Sequence, residues 1–173
     1  MSDAETRLKS DLDMLGIAWT QAEHIAVFTV EESRKIDKQI DGAHTKNLFL
    51  KDTGKRYWLV TVPADMQVDL KALPAAIGCK RVSFAKAEDM ERLLGIAPGS
   101  VTPLSAINDT GNDVTVVLDS SLAAASRVNV HPLRNTATLG LSGADLVRAL
   151  THWRHPPIVA DIPAKAATPH KDA

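Results

Sequence analysis

The stretch NLFLKDTGKRYWLVTVP, residues 47–63, is the sequence feature that most constrains the fold. Two apolar runs flank a short Lys-Asp-Thr-Gly-Lys segment, which is the pattern of a β-hairpin. The rest of the chain mixes candidate helices and short strands in irregular order, without internal repeats. This mixture predicts a single α+β domain with a mixed sheet, and not a regular alternation of parallel strands and helices.

Length and composition narrow the classes of function. A chain of 173 residues fits one domain, and its formal net charge of -1 excludes a general electrostatic affinity for nucleic acid, so any such binding must rest on a local basic patch. The apolar runs are shorter than the roughly 20 residues that a membrane helix needs. The N-terminus lacks the apolar region of a secretory signal, and the single cysteine, Cys79, cannot form an internal disulfide. These features predict a cytoplasmic protein without membrane contact.

The periodic pattern ends at His155. Residues 1–155 carry the predicted helices and strands, whereas residues 156–173 are rich in proline and alanine and lack periodicity. The second range is therefore expected to form an extended tail or a surface arm.

Several common catalytic signatures are absent from the sequence. It contains no G-x-x-x-x-G-K-[ST] phosphate loop, no G-x-S-x-G nucleophile elbow and no H-E-x-x-H zinc motif. His152 and His155 are spaced so that they could share a metal, but no cysteine or carboxylate cluster accompanies them. We therefore expect neither a metal nor a cofactor.

The loop within LLGIAPGSVTPLSAIND, residues 93–109, is stiff at both ends and carries almost nothing that ionises. Its glycine permits a ligand to approach the backbone closely, while a proline on each side restricts the φ angles. Such a loop presents peptide N–H and C=O groups that can bind a hydroxyl or an oxyanion, although a rigid turn without function explains the pattern about equally well. The candidate residues are Gly99, Ser100, Val101, Thr102 and Pro103.

Basic residues occur beside two predicted strands. Lys46 and Asn47 lead into an apolar strand, where a lysine can contact a phosphate at the mouth of a pocket or simply reach the solvent. The sequence alone favours the second interpretation. Lys51 in the hairpin and Arg81 before the strand VSF could belong to one basic patch, a feature that is also common on ordinary surfaces.

Polar residues cluster in RVNVHPLRNTATLGLS, residues 127–142. His131 stands before a proline at a strand end, and a lone histidine in such a place is more often structural than catalytic. Asn129 and the hydroxyls of Thr136 and Thr138 could supply neutral hydrogen bonds, with both threonines on one face of a strand.

Four segments together resemble one family. They are KNLFLKD, GCKRVSFAKAEDMERLLGIAPGSVTPLSAIND, VTVVLD and NVHPLRNTATLGLSGADL. In this order they resemble the free-standing prolyl-tRNA synthetase editing domains, the YbaK/ProX-like aminoacyl-tRNA deacylases, over about residues 5–155. The HPLRNTAT segment resembles the alanyl-tRNA(Pro) branch rather than the cysteinyl branch. The resemblance implies a mostly antiparallel, barrel-like sheet flanked by helices.

The resemblance also implies a reaction. Members of this family hydrolyse, in trans, the ester between alanine and the terminal adenosine of tRNA(Pro), an error that arises because a pocket for proline cannot exclude the smaller alanine. It implies that backbone groups of the loop at 99–103 hold the amino acid and the developing charge, while a ribose hydroxyl assists the attacking water. Lys46 would bind the terminal phosphate and His131 would lie beside the ribose. The resemblance implies further substrate or tRNA contacts at Asn47, Lys51, Arg81 and Asn129.

The implied partners are the acceptor stem and CCA end of a mischarged tRNA, with prolyl-tRNA synthetase or elongation factor as candidate protein partners and no DNA. Small or branched walls would admit a methyl group and exclude a proline ring, and the candidates are Ile25, Val27, Thr29 and Val101. Three alternatives stay open. They are a deacylase for another amino acid such as cysteine or serine, a non-catalytic tRNA-binding module of the same fold, and a pocket protein for a small amino acid derivative.

Overall fold

The computed structural model describes residues 2–26 and 29–166, the side chain of Val30 excepted. None of the helices in these ranges combines the length and the apolar character that a membrane crossing needs. The helices are α1 (Asp3–Met14), α2 (Val30–Asp37), α3 (Leu73–Ile77), α4 (Ala87–Leu94), α5 (Ser120–Ala123) and α6 (Gly143–His152), with a 3₁₀ helix at Pro103–Asn108. The strands are β1 (Thr20–Glu23), β2 (Ala43–Asp52), β3 (Tyr57–Pro63), β4 (Val82–Phe84), β5 (Val114–Asp119), β6 (Val128–Val130), β7 (Ala137–Leu141) and β8 (Ile158–Ala160). The α+β class is confirmed.

The eight strands form one mixed sheet in the order β1-β7-β6-β2-β3-β5-β8, with β4 paired to β2. Antiparallel pairing joins β1 to β7, β6 to β7, and β2 to both β3 and β4, while β2–β6, β3–β5 and β5–β8 are parallel. The expected barrel-like closure is absent, because among the described residues no pairing joins β1 to β8. Closure requires a common tilt and stagger of the strands, which edge strands of four and three residues do not provide.

The predicted hairpin is confirmed as β2 and β3. The buried carboxylate of Asp52 holds its turn, accepting the backbone N–H of Arg56 at 2.9 Å and the indole N–H of Trp58 at 3.2 Å. Burial acts to raise the pKa of Asp52, but these hydrogen bonds outweigh it and keep the pKa below its usual range. Asp52 therefore stays ionised and fixes the register of the strand that carries Lys46.

Apolar side chains of the hairpin alternate between two cores because successive side chains of a strand point to opposite faces. Phe49 and Leu59 belong to a large core with residues of α1, α4 and α6. Leu50 and Trp58 belong to a smaller core with residues of α3. The sheet is thus covered on both faces. The first residues of β2, Ala43 to Leu48, are only half-buried and stay accessible to solvent.

Part of the segment expected to be a tail is built into the fold. β8 pairs with β5, and Val68 and Ala164 form an isolated antiparallel bridge. Ile162 is 6% exposed, and its N–H donates to the carboxylate of Asp119 at 3.0 Å. The prolines of this segment remove helical periodicity, but they are tolerated beside an edge strand, so apolar residues between them still pack. Residues 167–173 lie outside the described ranges.

Candidate functional site

A pocket of about 340 Å³ opens beside the first half of β2, between α2 and the loop that precedes the 3₁₀ helix. Five of the predicted site residues meet in its wall, namely Lys46, Asn47, Gly99, Val101 and His131. The other lining residues are His24, Thr29, Ser33, Ile36, Asp37, Thr45 and Thr138. The fold therefore brings together three distant segments that the sequence singled out.

Local hydrogen bonds set the shape of the loop at the pocket. The N–H of Ser100 donates to the carbonyl of Ala97 at 3.1 Å, which closes a tight turn. Gly99 in this turn has a φ of +91°, a conformation that side chains rarely adopt. Two residues later the hydroxyl of Thr102 accepts the N–H of Leu104 at 3.3 Å and caps the 3₁₀ helix. The loop is thus fixed at both ends by its own hydrogen bonds.

A side chain of β2 holds the middle of the loop. The side-chain N–H of Asn47 donates to the carbonyl of Val101 at 2.9 Å, and the amide oxygen of Asn47 accepts the hydroxyl of Thr61 at 2.6 Å. Because Thr61 is buried, it fixes the orientation of the amide. Gly99 and Val101 both line the pocket, and within the described ranges no hydrogen bond takes up the N–H of either residue.

Three other predicted residues lie behind the wall. Thr102 and Pro103 are buried, and the carbonyl of Thr102 accepts both the N–H and the hydroxyl of Ser105, at 3.1 and 2.6 Å. Asn129 is also buried and donates to the carbonyl of Asp41 at 2.8 Å. Ser100 is half-buried beside the pocket without lining it. None of these four residues lines the main pocket, and all are close in the chain to residues that do.

Lys46 is half-buried on β2, opposite Val62. It forms no salt bridge with a carboxylate of the described residues. An ammonium group in a concave wall without a carboxylate partner attracts an anion such as phosphate.

His131 is held in one tautomer. Its Nδ1 lies 3.2 Å from the carbonyl of Ala137, which can only accept, so Nδ1 carries the proton. Burial lowers the pKa of His131 below its usual range, although this hydrogen bond acts in the opposite direction. The ring is therefore neutral near pH 7, and Nε2 is a hydrogen-bond acceptor.

His24 and Thr138 form a second polar contact in the wall. Nδ1 of His24 donates to the carbonyl of Ile25 at 2.8 Å, so in the neutral ring Nε2 accepts the hydroxyl of Thr138, also at 2.8 Å. This commits the single proton of Thr138 and leaves its oxygen free to accept. The sequence singled out Thr138 as a polar residue but did not identify its partner.

Among the described residues that line the pocket, Asp37 supplies the only carboxylate. Its Oδ1 lies 3.3 Å from Nδ1 of His44, whose Nε2 donates to the carbonyl of Ile40 at 2.9 Å. Burial raises the pKa of Asp37 above its usual range, while the charge of His44 opposes that rise. The carboxylate thus sits in a partly desolvated wall beside His44.

A smaller cavity of about 50 Å³ adjoins the pocket, and we call it the annex. Its lining residues are Ser33, Asp37, His44, Thr45, Asn129, Val130, His131 and Thr138. Five of them also line the main pocket, so the two cavities share a wall. Sequence reasoning missed the α2 contribution to both. The available signal was the spacing of Ser33 and Asp37, which places them on one face of a helix.

Lys51 and Arg81 lie away from the pocket. Lys51 follows Lys46 by five residues, which is about 17 Å along a strand and on the opposite face. Its Nζ lies 5.3 Å from the ring centre of Tyr57. Arg81 is exposed, just before β4, and its carbonyl accepts the N–H of Thr53 at 2.9 Å. The two cations occupy the turn end of the hairpin.

The candidate size-selecting residues have different positions. Thr29 and Val101 line the pocket, whereas the side chain of Ile25 is 74% exposed and does not border it. Val27 lies outside the described residues.

The two histidines with metal-like spacing do not face a common site. His152 is exposed, whereas His155 is buried and its Nε2 lies 2.8 Å from the carboxylate of Asp109. Across the described part of the chain, no group of three or more His, Cys, Asp and Glu side chains is arranged to hold a metal ion.

Comparisons with known proteins place the chain among aminoacyl-tRNA editing domains. A sequence model of the aminoacyl-tRNA editing domain matches residues 24–149, a range that contains every lining residue of the pocket. The prolyl-tRNA editing protein ProX of Acetoanaerobium sticklandii is 40% identical over 145 residues, which are 83% of this chain and 88% of that protein. The prolyl-tRNA synthetase associated domain-containing protein 1 of Bos taurus is 40% identical over 166 residues, which are 92% of this chain and 96% of that protein.

The fold is also similar to that of a solved structure. The crystal structure of a candidate trans-editing enzyme for prolyl tRNA synthetase has a TM-score of 0.71 and 22% identity, covering 95% of this chain and 99% of that one. At this identity the likeness concerns the fold, including the mixed sheet and its flanking helices.

Proposed function

The chain belongs to the aminoacyl-tRNA editing domain family, and we propose that it is a trans-editing deacylase for mischarged Ala-tRNA(Pro). The observation that carries the proposal is that Lys46 and the backbone of Gly99 and Val101 line one pocket. This arrangement offers an anion contact beside neutral N–H donors, which are the groups that an ester on a terminal nucleotide requires.

The chemistry of proline selection supports alanine as the substrate. Alanine is smaller than proline, so a synthetase pocket cannot strongly exclude it, and a second site must hydrolyse the product. We propose that Thr29 and Val101 narrow the pocket until a methyl group enters and a proline ring does not. The 40% identity to a prolyl-tRNA editing protein supports tRNA(Pro) as the nucleic acid.

The proposed reaction is ester hydrolysis without a protein nucleophile. Water attacks the ester carbonyl carbon, the bond to the ribose oxygen breaks, and alanine and intact tRNA leave. The free hydroxyl of the terminal ribose assists the water, and the N–H groups of Gly99 and Val101 stabilise the developing negative charge. His131, neutral with Nε2 as an acceptor, lies beside the ribose. Ser100, Thr102 and Pro103 keep the loop in shape.

The proposed tRNA contacts extend beyond the pocket. Lys46 binds the phosphate of the terminal adenosine, and Asn47 keeps the loop beside it. Lys51 and Arg81 contact the acceptor stem at the other end of β2, in a manner that depends on salt because phosphate contacts release counterions. Prolyl-tRNA synthetase and elongation factor are the candidate protein partners in the cytoplasm.

A panel of esters on one tRNA tests the proposal. Purified protein is incubated with Ala-, Ser-, Cys- and Pro-tRNA(Pro), and the release of each amino acid is followed. We expect alanine to be released fastest and proline to be spared. Faster release of serine or cysteine would reassign the substrate. Salt-dependent tRNA binding with all four esters intact would indicate a binding module instead.

A further inference from the structure

Three hydroxyl groups line the annex, those of Ser33, Thr45 and Thr138, and two of them donate to groups of the wall. The hydroxyl of Thr45 donates to the backbone carbonyl of Asn129 at 2.7 Å. The hydroxyl of Thr138 donates to Nε2 of His24, since Nδ1 of that ring is committed to the carbonyl of Ile25. A hydroxyl has one proton and two lone pairs, so both oxygens remain as acceptors.

Two further groups of the annex, on His131 and Asp37, are acceptors. Nε2 of His131 carries a lone pair because Nδ1 donates to Ala137. The carboxylate of Asp37 contacts His44 through Oδ1, and within the described residues Oδ2 has no partner. Asp37 is also the last residue of α2, where the helix dipole favours a positive charge. One of the two side-chain N–H bonds of Asn129 donates to the carbonyl of Asp41 at 2.8 Å.

We propose that the annex binds the α-ammonium group of the aminoacyl ester, with Asp37 as its counter-charge. This inference rests on the proposed deacylase function. An ammonium group has three donors and no acceptor, which complements a cavity lined by four acceptors. A water molecule needs about 10–15 Å³ of such volume, so the annex of about 50 Å³ admits a group of that size and excludes a nucleobase.

The proposal has a consequence for substrate choice. An ester whose amine is acylated carries no ammonium and adds bulk where the annex is narrowest. The site would therefore act on free aminoacyl esters and spare peptidyl or formylated ones. Recognition of the amine also orients the ester carbonyl, because the two groups share the α-carbon.

The test compares two esters that differ only at the amine. Ala-tRNA(Pro) is converted to lactyl-tRNA(Pro), in which a hydroxyl replaces the ammonium, and each enzymatic rate is divided by the uncatalysed rate of the same ester. The proteins are wild type, Asp37→Asn and Asp41→Asn. The last is a matched control, since Asp41 is exposed and its side chain lies outside both cavities.

We expect wild type to prefer the alanyl ester by at least about tenfold, and Asp37→Asn to lose roughly 10- to 100-fold on that ester alone. Its rate on the lactyl ester should change less than about threefold, and Asp41→Asn should behave as wild type. Equal loss on both esters, or no loss on either, would overturn the role of Asp37. Equal rates of the wild-type enzyme on the alanyl and lactyl esters would by themselves overturn binding of the ammonium group in the annex. If wild type hydrolyses neither ester, the deacylase function itself fails.

Discussion

The side-chain N–H of Asn47 donates to the carbonyl of Val101 at 2.9 Å, although the two residues are 54 positions apart in the chain. This bond ties the strand that carries Lys46 to the loop that presents its backbone to the pocket. The distance between the anion contact and the loop N–H groups therefore depends on one amide, which Thr61 orients from the neighbouring strand.

Replacing Asn47 by alanine removes the brace of the loop. We expect the free energy of unfolding to fall by about 1–3 kcal/mol, because the hydroxyl of Thr61 and the carbonyl of Val101 lose their partner. The deacylation rate should fall about tenfold as the loop loosens. Urea unfolding and single-turnover kinetics measure the two effects. Thr61→Val keeps the bond to Val101 and should cost less in rate. Wild-type kinetics in Asn47→Ala would show that the brace is dispensable.

Gly99→Ala tests the conformation of the loop. An added Cβ would meet only the side-chain nitrogen of Asn135, at 3.8 Å, so the cost of about 1–2 kcal/mol arises from the positive φ and not from a clash. Gly16→Ala is the matched control, with a φ of +71° and nothing within 4 Å. Both variants should lose similar stability in thermal unfolding, but only Gly99→Ala should slow deacylation. Equal deacylation rates of the two variants would show that the conformation of Gly99 does not matter for the reaction.

The neutral state of His131 should affect how the free energy of unfolding depends on pH. Burial lowers its pKa in the folded protein, so the unfolded chain binds more protons in the range just below the ordinary pKa of 6.5. The contribution of neutral His131 to the free energy of unfolding should therefore be fully present above pH 6.5. It should decline as the pH falls towards the lowered pKa. Urea unfolding measures the free energy of unfolding at pH 5 and 7.5. The difference between the two values should be smaller for His131→Gln than for wild type. The control is the exposed His152→Gln, which should retain the wild-type difference.

Arg134 joins α1 to β1 through two carboxylates. Its guanidinium contacts the buried Glu5 at 2.7 Å and the exposed Glu23 at 2.6 Å. Glu5→Gln should cost about 1–3 kcal/mol, which is a shift of a few degrees in Tm for a chain of this size. Glu23→Gln should cost less because solvent screens that contact. A larger loss in Glu23→Gln would contradict this order.

The same network predicts an acid-sensitive component. The hydrogen bond from Arg134 lowers the pKa of Glu23 from 4.5 to about 2. The stabilising contribution is present above 4.5 and is lost as the pH falls towards 2. Unfolding scans between these values should show a weaker pH dependence for Glu23→Gln than for wild type. An unchanged slope would contradict the pairing.

Local patterns predicted much of the fold. The apolar runs around the turn at Asp52 predicted the hairpin. The spacing of Thr29 and Glu32 is typical of a helix start, and at the start of α2 the Thr29 hydroxyl accepts the N–H of Glu32 at 3.1 Å. β8 was not predicted, because proline breaks the pattern of a strand whose pairing with β5 is decided by tertiary contacts. Closure of the sheet was expected from a resemblance and depends on pairings that no local pattern specifies.

The candidate site was predicted in part. The sequence singled out seven lining residues, because glycine, lysine, histidine and small polar residues stand out in an apolar context. They are Thr29, Lys46, Asn47, Gly99, Val101, His131 and Thr138. It did not single out Asp37, since a carboxylate at a helix end is usually a solvated residue. Its position in the annex depends on where α2 lies relative to β2, a tertiary relationship that no local pattern specifies. The direction of the hydroxyl protons at Thr45 and Thr138 likewise requires their partners to be known.

The release of alanine from Ala-tRNA(Pro) by wild type, Lys46→Ala and Lys71→Ala tests the central claim most directly. Lys71 is an exposed lysine outside the pocket and controls for the loss of one positive charge. We predict rapid release by wild type and Lys71→Ala, and a rate roughly 10- to 100-fold lower for Lys46→Ala, because one charge-assisted phosphate contact is lost. Alanine that stays attached at micromolar wild-type enzyme, or equal rates for the two variants, would contradict the account.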